Sequence, residues 1–184
     1  MEAAPESAPD SMTQDLPNAK AAITTPHYLA SESGRRVLEE GGNALEAIVA
    51  ASAVLAVVYP QMCTLGGDAF CLIFNAATGT LRGINASGKS GSRVNRSVYR
   101  HMRCAAIPSR GPLAAITVPG VVSGWELALS YSASAMGGTC SLARLLEDAL
   151  RYAEAGFPIT RSLSQWIIED TATDDTGHHN LQQY

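Results

Sequence analysis

Residues 43–58 (NALEAIVAASAVLAVV) constrain the fold more than any other stretch of this chain. Asn43, followed three residues later by Glu46, is a capping-box start, in which each side chain satisfies a backbone N–H that the helix leaves free. Pro60 cannot continue the helix. Between these signals the segment is apolar on nearly every side, so it has no face to give to water and must be buried. Its many alanines let it lie close against a sheet or another helix.

Other elements follow from the same kind of signal. Residues 22–25 (AITT) predict a short strand ended by Pro26. Ser31 is a plausible cap for a short helix over residues 33–40, and Gly41-Gly42 stops it. Residues 69–75 (AFCLIFN) are a continuous apolar run of strand type. Residues 76–79 (AATG) are a turn, and residues 80–85 return as a second strand of a hairpin. Residues 87–92 read as a Gly/Ser-rich loop, and residues 114–118 as another strand. Residues 121–131 and 142–155 have helical spacing. In the second, Leu142, Leu145, Leu146, Ala149, Leu150 and Ala153 are expected on one face, with Gly156 and Pro158 closing it. Helices, a hairpin and then more helices predict an α+β layered architecture.

The ends are different in kind. Residues 1–20 are rich in Pro, Ser, Ala and acids and lack the basic start and apolar run of a secretory signal, so they read as a disordered leader. Residues 171–184 (TATDDTGHHNLQQY) form a polar, aperiodic tail. The ordered region is expected over residues 21–170. Residues 47–59, the longest apolar stretch, are too few to span a bilayer. A soluble, cytoplasmic chain is the expectation for the sequence as written.

Composition excludes some functions. The net charge is -4, no Lys/Arg run gathers enough charge to follow a phosphate backbone, and aromatics are scarce at 6%, so nucleic acid is not an expected partner. Cys63, Cys71, Cys104 and Cys140 form no CxxC pair, and the histidines lack zinc spacing, so reduced thiols and no metal are expected.

Three segments carry the candidate chemistry. Thr64-Leu65-Gly66-Gly67-Asp68 places two glycines between a buried helix and a strand. That suits either a tight turn or a substrate-facing loop offering backbone N–H groups. Asn85-Ala86-Ser87-Gly88-Lys89 ends a strand and presents one cation, with Arg93 and Arg96 close behind. Such a cluster can serve a carboxylate-bearing ligand. Residues 117–124 (TVPGVVSG) and 153–158 (AEAGFP) complete the set. No nucleophile elbow or triad emerges. Glu147 and Asp148 read as solvated charges on a helix.

In series, these segments resemble the gamma-glutamyltransferase family. The carriers are LASESGRRVLEEGGNALEAIVA (residues 29–50), CTLGGDAFCLIFNAATG (63–79), NASGKSG, TVPGVVSGWELAL and YAEAGFPIT, ordered and spaced over residues 21–168. The GGDAF and NASGK variants look closer to the acylase-like branch than to glutathione-processing members. The resemblance implies an Ntn-hydrolase fold, an αββα sandwich of which this chain is the N-terminal portion of the large subunit. It also implies a precursor that cleaves itself, so that the new N-terminal threonine of a small subunit attacks a gamma-glutamyl amide with its own α-amine as base. No cofactor is implied. The family's basic loop residue, which holds the substrate carboxylate, carries over to Lys89. Lys keeps the charge of the more usual Arg without its bidentate fork.

The resemblance places the nucleophilic threonine beyond residue 184, and Thr24, Thr25 and Thr64 match no cleavage motif. No catalytic residue is therefore assigned within the chain. The chain alone is expected to be inactive, to need a C-terminal region or small subunit as partner, and to expose sheet edges and apolar surface. The alternative is a non-catalytic, partner-binding subunit that retains the first half of the fold.

Overall fold

A computed structural model describes residues 20–108 and 111–172. The order of elements is α1 (Tyr28–Glu39), α2 (Ala44–Val58), β1 (Ala69–Asn75), β2 (Thr80–Ala86), α3 (Arg96–His101), α4 (Val121–Ala135), α5 (Leu142–Ala155) and α6 (Arg161–Ala172).

α2 is the central element. Asn43 Oδ1 accepts the N–H groups of Leu45 and Glu46, and Glu46 Oε2 accepts that of Asn43 at 2.8 Å, which completes the capping box. Ala50, Ala51, Val54 and Val58 are fully or almost fully enclosed among α1, α4 and α5. The capping side chains also reach across the fold. Asn43 Nδ2 donates to Ser132 Oγ at 2.7 Å, and Glu46 Oε1 accepts the Cys140 N–H at 2.7 Å. Glu46 thus has its two oxygens on two backbone donors, which lets a carboxylate sit buried.

β1 and β2 form an antiparallel hairpin with Ala69 opposite Ala86, Leu72 opposite Gly83 and Asn75 opposite Thr80. α4 lies across its inner face, where Ile73 and Ala86 are buried. Trp125 on α4 donates its indole N–H to Ser52 Oγ of α2 at 3.1 Å, which ties the two helices together. The outer face is bare: Phe70, Leu72, Phe74 and Leu81 are 64–80% exposed. β1 is therefore not buried on both faces as its apolar run suggests. It alternates, because helices cover one side only.

Several expectations need correction. Residues 22–25 and 114–118 form no strands. The first is extended chain without a partner strand, and the second is reduced to one bridge, Ser90 to Thr117. α1 begins at Tyr28, ahead of Ser31. Its cap is His27, whose Nδ1 accepts the Leu29 N–H at 3.2 Å. α6 was not expected, and it extends into the start of the tail at residues 171–172. The leader up to residue 19 and the tail from residue 173 lie outside the described residues.

Asp148 is not a solvated charge. It is buried at 8% exposure, and it meets Arg36 Nη2 at 3.0 Å and Arg151 Nη2 at 2.7 Å. Burial alone would raise its carboxyl pKa. Its polar neighbours, led by the Arg151 hydrogen bond and including the Ser33 hydroxyl and the Arg36 charge, outweigh that and hold it below the usual carboxylate range. The buried stripe of α5 is Leu145, Asp148, Ala149 and Tyr152, whereas Leu142 and Leu150 face solvent. Glu147 is exposed, as expected. No helix among the described residues is long and apolar enough to cross a membrane.

Candidate functional site

Three of the sequence segments meet at one end of the hairpin. The Gly67 carbonyl accepts the N–H of Gly120 at 2.9 Å and of Val121 at 3.2 Å. These are donors at the start of α4, which has no side-chain cap, so the loop backbone supplies the cap. Asp68 Oδ1 accepts the Gly88 N–H at 2.9 Å. The Lys89 carbonyl accepts the Val118 N–H at 3.0 Å, and the Gly91 N–H donates to Ile116 at 3.4 Å. Residues 88–91 thus run antiparallel to residues 116–118.

Two glycines make that closeness possible. A Cβ on Gly88 would overlap the Val118 carbonyl, and one on Gly120 would overlap the Ala86 carbonyl. Only a residue without a side chain lets the backbones pass at this distance. The outcome is a rigid seat under Lys89: its main chain is pinned on both sides, while its side chain is exposed.

The glycine pair does not offer its N–H groups to a ligand. Gly66 N–H donates to Thr64 Oγ1 at 3.2 Å and Gly67 N–H to the Thr64 carbonyl at 3.3 Å, so the segment is a tight turn. Sequence reading missed Asp68 as a positioning residue. The available signal was an acid directly after two glycines, at the entrance to a strand. Arg93 and Arg96 follow Lys89 on the same exposed stretch, where Asn95 caps α3.

Other chemistry finds little support among the described residues. Burial pushes the thiols of Cys63, Cys71 and Cys140 up, which keeps them protonated and poorly nucleophilic, and all four cysteines are free. No group of three His, Cys, Asp or Glu side chains among them could hold a metal ion. An open surface cleft lies over the outer face of the hairpin, beside Phe70, Leu72 and Gly83.

A helical layer on one face of a hairpin, with loops joined at the hairpin's end, is the arrangement of one half of an Ntn-hydrolase α+β sandwich. The family profile described as gamma-glutamyltranspeptidase matches residues 30–180, and the chain belongs to that family. It is 47% identical to the glutathione hydrolase-like YwrD proenzyme of Bacillus subtilis over 81% of this chain and 27% of that protein. It is 51% identical to the oxamate amidohydrolase proenzyme of Klebsiella pneumoniae over 74% of this chain and 25% of that protein. The gamma-glutamyltranspeptidase structure from Helicobacter pylori superimposes with a TM-score of 0.73 at 31% identity, over 83% of this chain and 42% of that one. The chain therefore spans about a quarter of the length of these two relatives, both of which are described as proenzymes.

Proposed function

We propose that this chain is the large-subunit portion of an Ntn amidohydrolase that transfers a gamma-glutamyl or related acyl group to water, amino acids or peptides. In this reading Lys89 holds the carboxylate of the acyl donor. The attacking hydroxyl belongs to a threonine on polypeptide outside residues 1–184, so the chain alone does not turn over substrate. The observation that carries the reading is the pinned backbone on both sides of Lys89, which fixes the point at the rim of the hairpin from which that side chain projects.

The bare outer face of the hairpin supports the partner in this reading. Four large apolar side chains there would each gain about 1.5–3 kcal/mol on full burial, and a second layer from a C-terminal region or small subunit would bury them. The same face would serve a non-catalytic, partner-binding subunit, and Lys89 separates the two readings.

The test is ligand binding with an activity control. Glutamine titrated into the 15N-labelled 184-residue chain should shift the amides of residues 88–91 and of Thr117, Val118 and Gly120, and Lys89→Ala should abolish the shifts. No p-nitroaniline should be released from gamma-glutamyl-p-nitroanilide by the chain alone. Turnover by the isolated chain, or glutamine binding unchanged in Lys89→Ala, would refute the proposal.

A further inference from the structure

Ahead of α1 the chain runs extended over residues 20–25, and no strand among the described residues pairs with it. Exposure alternates along it: Ala22 and Thr24 are exposed, while Ile23 and Thr25 are partly buried. Ile23 packs against the core. Its side chain lies on Gly34 of α1, where a Cβ would come within 2.2 Å of Ile23 Cδ1 and 3.0 Å of the Ala47 carbonyl oxygen of α2. The segment is therefore a strap, seated by one apolar side chain where α1 and α2 meet.

His27 joins the strap to the helix. Its carbonyl oxygen accepts the N–H groups of Ala30 at 3.0 Å and Ser31 at 3.2 Å, and the Thr25 hydroxyl at 2.7 Å. That uses the one hydroxyl hydrogen of Thr25, so the Ser31 hydroxyl donates to Thr25 Oγ1 at 2.8 Å. The ring adds the helix cap, with Nδ1 accepting the Leu29 N–H. A neutral imidazole that accepts at Nδ1 carries its proton on Nε2. Nε2 is enclosed and has no hydrogen-bond partner among the described residues, and His27 as a whole is 3% exposed.

A second proton would go on Nδ1, donor against the Leu29 N–H, and would place a cation inside the fold. The ionisable groups around it are directed elsewhere. Tyr28 stacks on the ring at 5.0 Å between centroids. On α1, Glu32 lies beside Arg36 and Glu39 pairs with Arg35. On α2 the one charged residue is Glu46, in the first turn, with its oxygens on the N–H groups of Asn43 and Cys140; Tyr59 follows the last turn. α5 reaches Arg36 through Asp148 and Glu40 through Arg144, both toward the other end of α1. Lys20, on the strap, has the same sign as the cation. Burial lowers the ring's pKa, and no neighbouring charge counters it.

We propose that His27 is a pH-operated latch: in mild acid the strap over residues 20–26 and the first turn of α1 come away from the helical layer, while α2 stays folded. The open strap exposes the ring, which takes a proton at its ordinary value near 6.5. The closed ring refuses that proton, so opening is favoured as pH falls below about 6.5. Opening is local because Ile23 is only partly buried, whereas Ala50, Ala51, Val54 and Val58 of α2 are enclosed. It bares the surface at Gly34 that Ile23 covers.

The experiment is NMR on the full 184-residue chain, labelled with 15N and with 13C at the isoleucine δ1 methyls, from about pH 7.5 to about pH 5. The Ile23 methyl should move to the shift of an exposed isoleucine. The Leu29, Ala30 and Ser31 amides should exchange at least tenfold faster in acid, after correction for the intrinsic rate, while amides in the middle of α2 keep their protection. His27→Asn can cap without titrating and should hold the Ile23 methyl in place across the range. Far-UV circular dichroism reports whether that variant folds. Should it not, the His27 ring resonances of the parent decide, because their titration midpoint must coincide with that of the Ile23 shift. An Ile23 methyl that stays put in acid would overturn the latch. So would the same movement in His27→Asn, separate His27 and Ile23 midpoints, or loss of α2 protection in step with Ile23, which marks unfolding of the whole layer.

Discussion

The Asp68 carboxylate accepts the backbone N–H of Gly88 at 2.9 Å, so an acid at the entrance of β1 sets the loop that presents Lys89. Both residues lie near the surface, so the bond is worth less to stability than a buried one. Its effect should appear in ligand binding. Asp68→Ala should lower glutamine affinity roughly three- to tenfold, with a loss of stability of about 1 kcal/mol or less. Asp68→Asn keeps an acceptor oxygen and should retain most of the affinity. NMR titration beside urea unfolding separates the two effects.

The junction beneath that loop should be intolerant of side chains. Gly120→Ala places a methyl against the Ala86 carbonyl, with the Gly88 nitrogen 3.3 Å away. Backbone cannot rotate aside as a side chain can, so the variant should lose about 1–3 kcal/mol. Gly66→Ala is the control. Its methyl meets only Thr64 Oγ1, at 3.8 Å, and the variant should stay within ~0.5 kcal/mol of the parent. Urea titrations with equal m-values would compare the two.

His27 makes stability depend on mild acid. Burial lowers its pKa below the ordinary value of 6.5. The unfolded chain therefore binds a proton that the folded chain refuses, and stability falls as pH drops below about 6.5 toward the folded-state pKa. Protonation also takes the Nδ1 lone pair that accepts the Leu29 N–H, so the α1 cap is lost with it. His27→Asn can cap without titrating and should flatten the stability profile between about pH 5 and pH 6.5. Thermal melts across that range measure the slope.

Asp148 acts in a lower window and with the usual carboxylate sign. Its folded-state pKa is depressed, so its contribution is present above the unfolded value near 3.8 and is lost as pH falls through the folded value. Asp148→Asn should cost about 1–3 kcal/mol at pH 7, because Arg36 and Arg151 lose their shared carboxylate. It should also reduce the acid sensitivity of unfolding below about pH 4. Parallel urea titrations at pH 7 and pH 3.5 test both effects.

How far the sequence could be read depended on where each residue's partner lies. α2, β1 and α5 were legible because their signals are local: a capping box at Asn43, a β run bounded by turns, and Gly156 after a periodic helix. Strand propensity at residues 22–25 and 114–118 failed because a strand needs a neighbour, and none among the described residues pairs there beyond the Ser90–Thr117 bridge. Asp148 was misread by its neighbour in sequence. Its spacing of three from Leu145 and four from Tyr152 puts it in the buried stripe, a signal that was present. Lys89 was legible as a loop cation next to glycines, whereas the Asp68–Gly88 and Gly67–Gly120 contacts that seat it join residues 20 and more apart.

The outer face of the hairpin gives the remaining prediction. Phe70, Leu72, Phe74 and Leu81 stand side by side on a two-stranded sheet whose edges are both unpaired among the described residues. Gly83 lies opposite Leu72 and leaves a notch there, so the surface is apolar and indented as well as uncovered. Such a face associates with whatever apolar surface is available. The isolated chain should bind a hydrophobic dye and self-associate in sedimentation velocity. Leu72→Lys, at an 80% exposed position, should reduce both without lowering the melting temperature, since the side chain contributes little to the existing core. If the face is where a second layer docks, the same substitution should weaken assembly with the C-terminal polypeptide by at least tenfold. Arg100→Gln, on α3 and outside the hairpin, should leave that assembly unchanged.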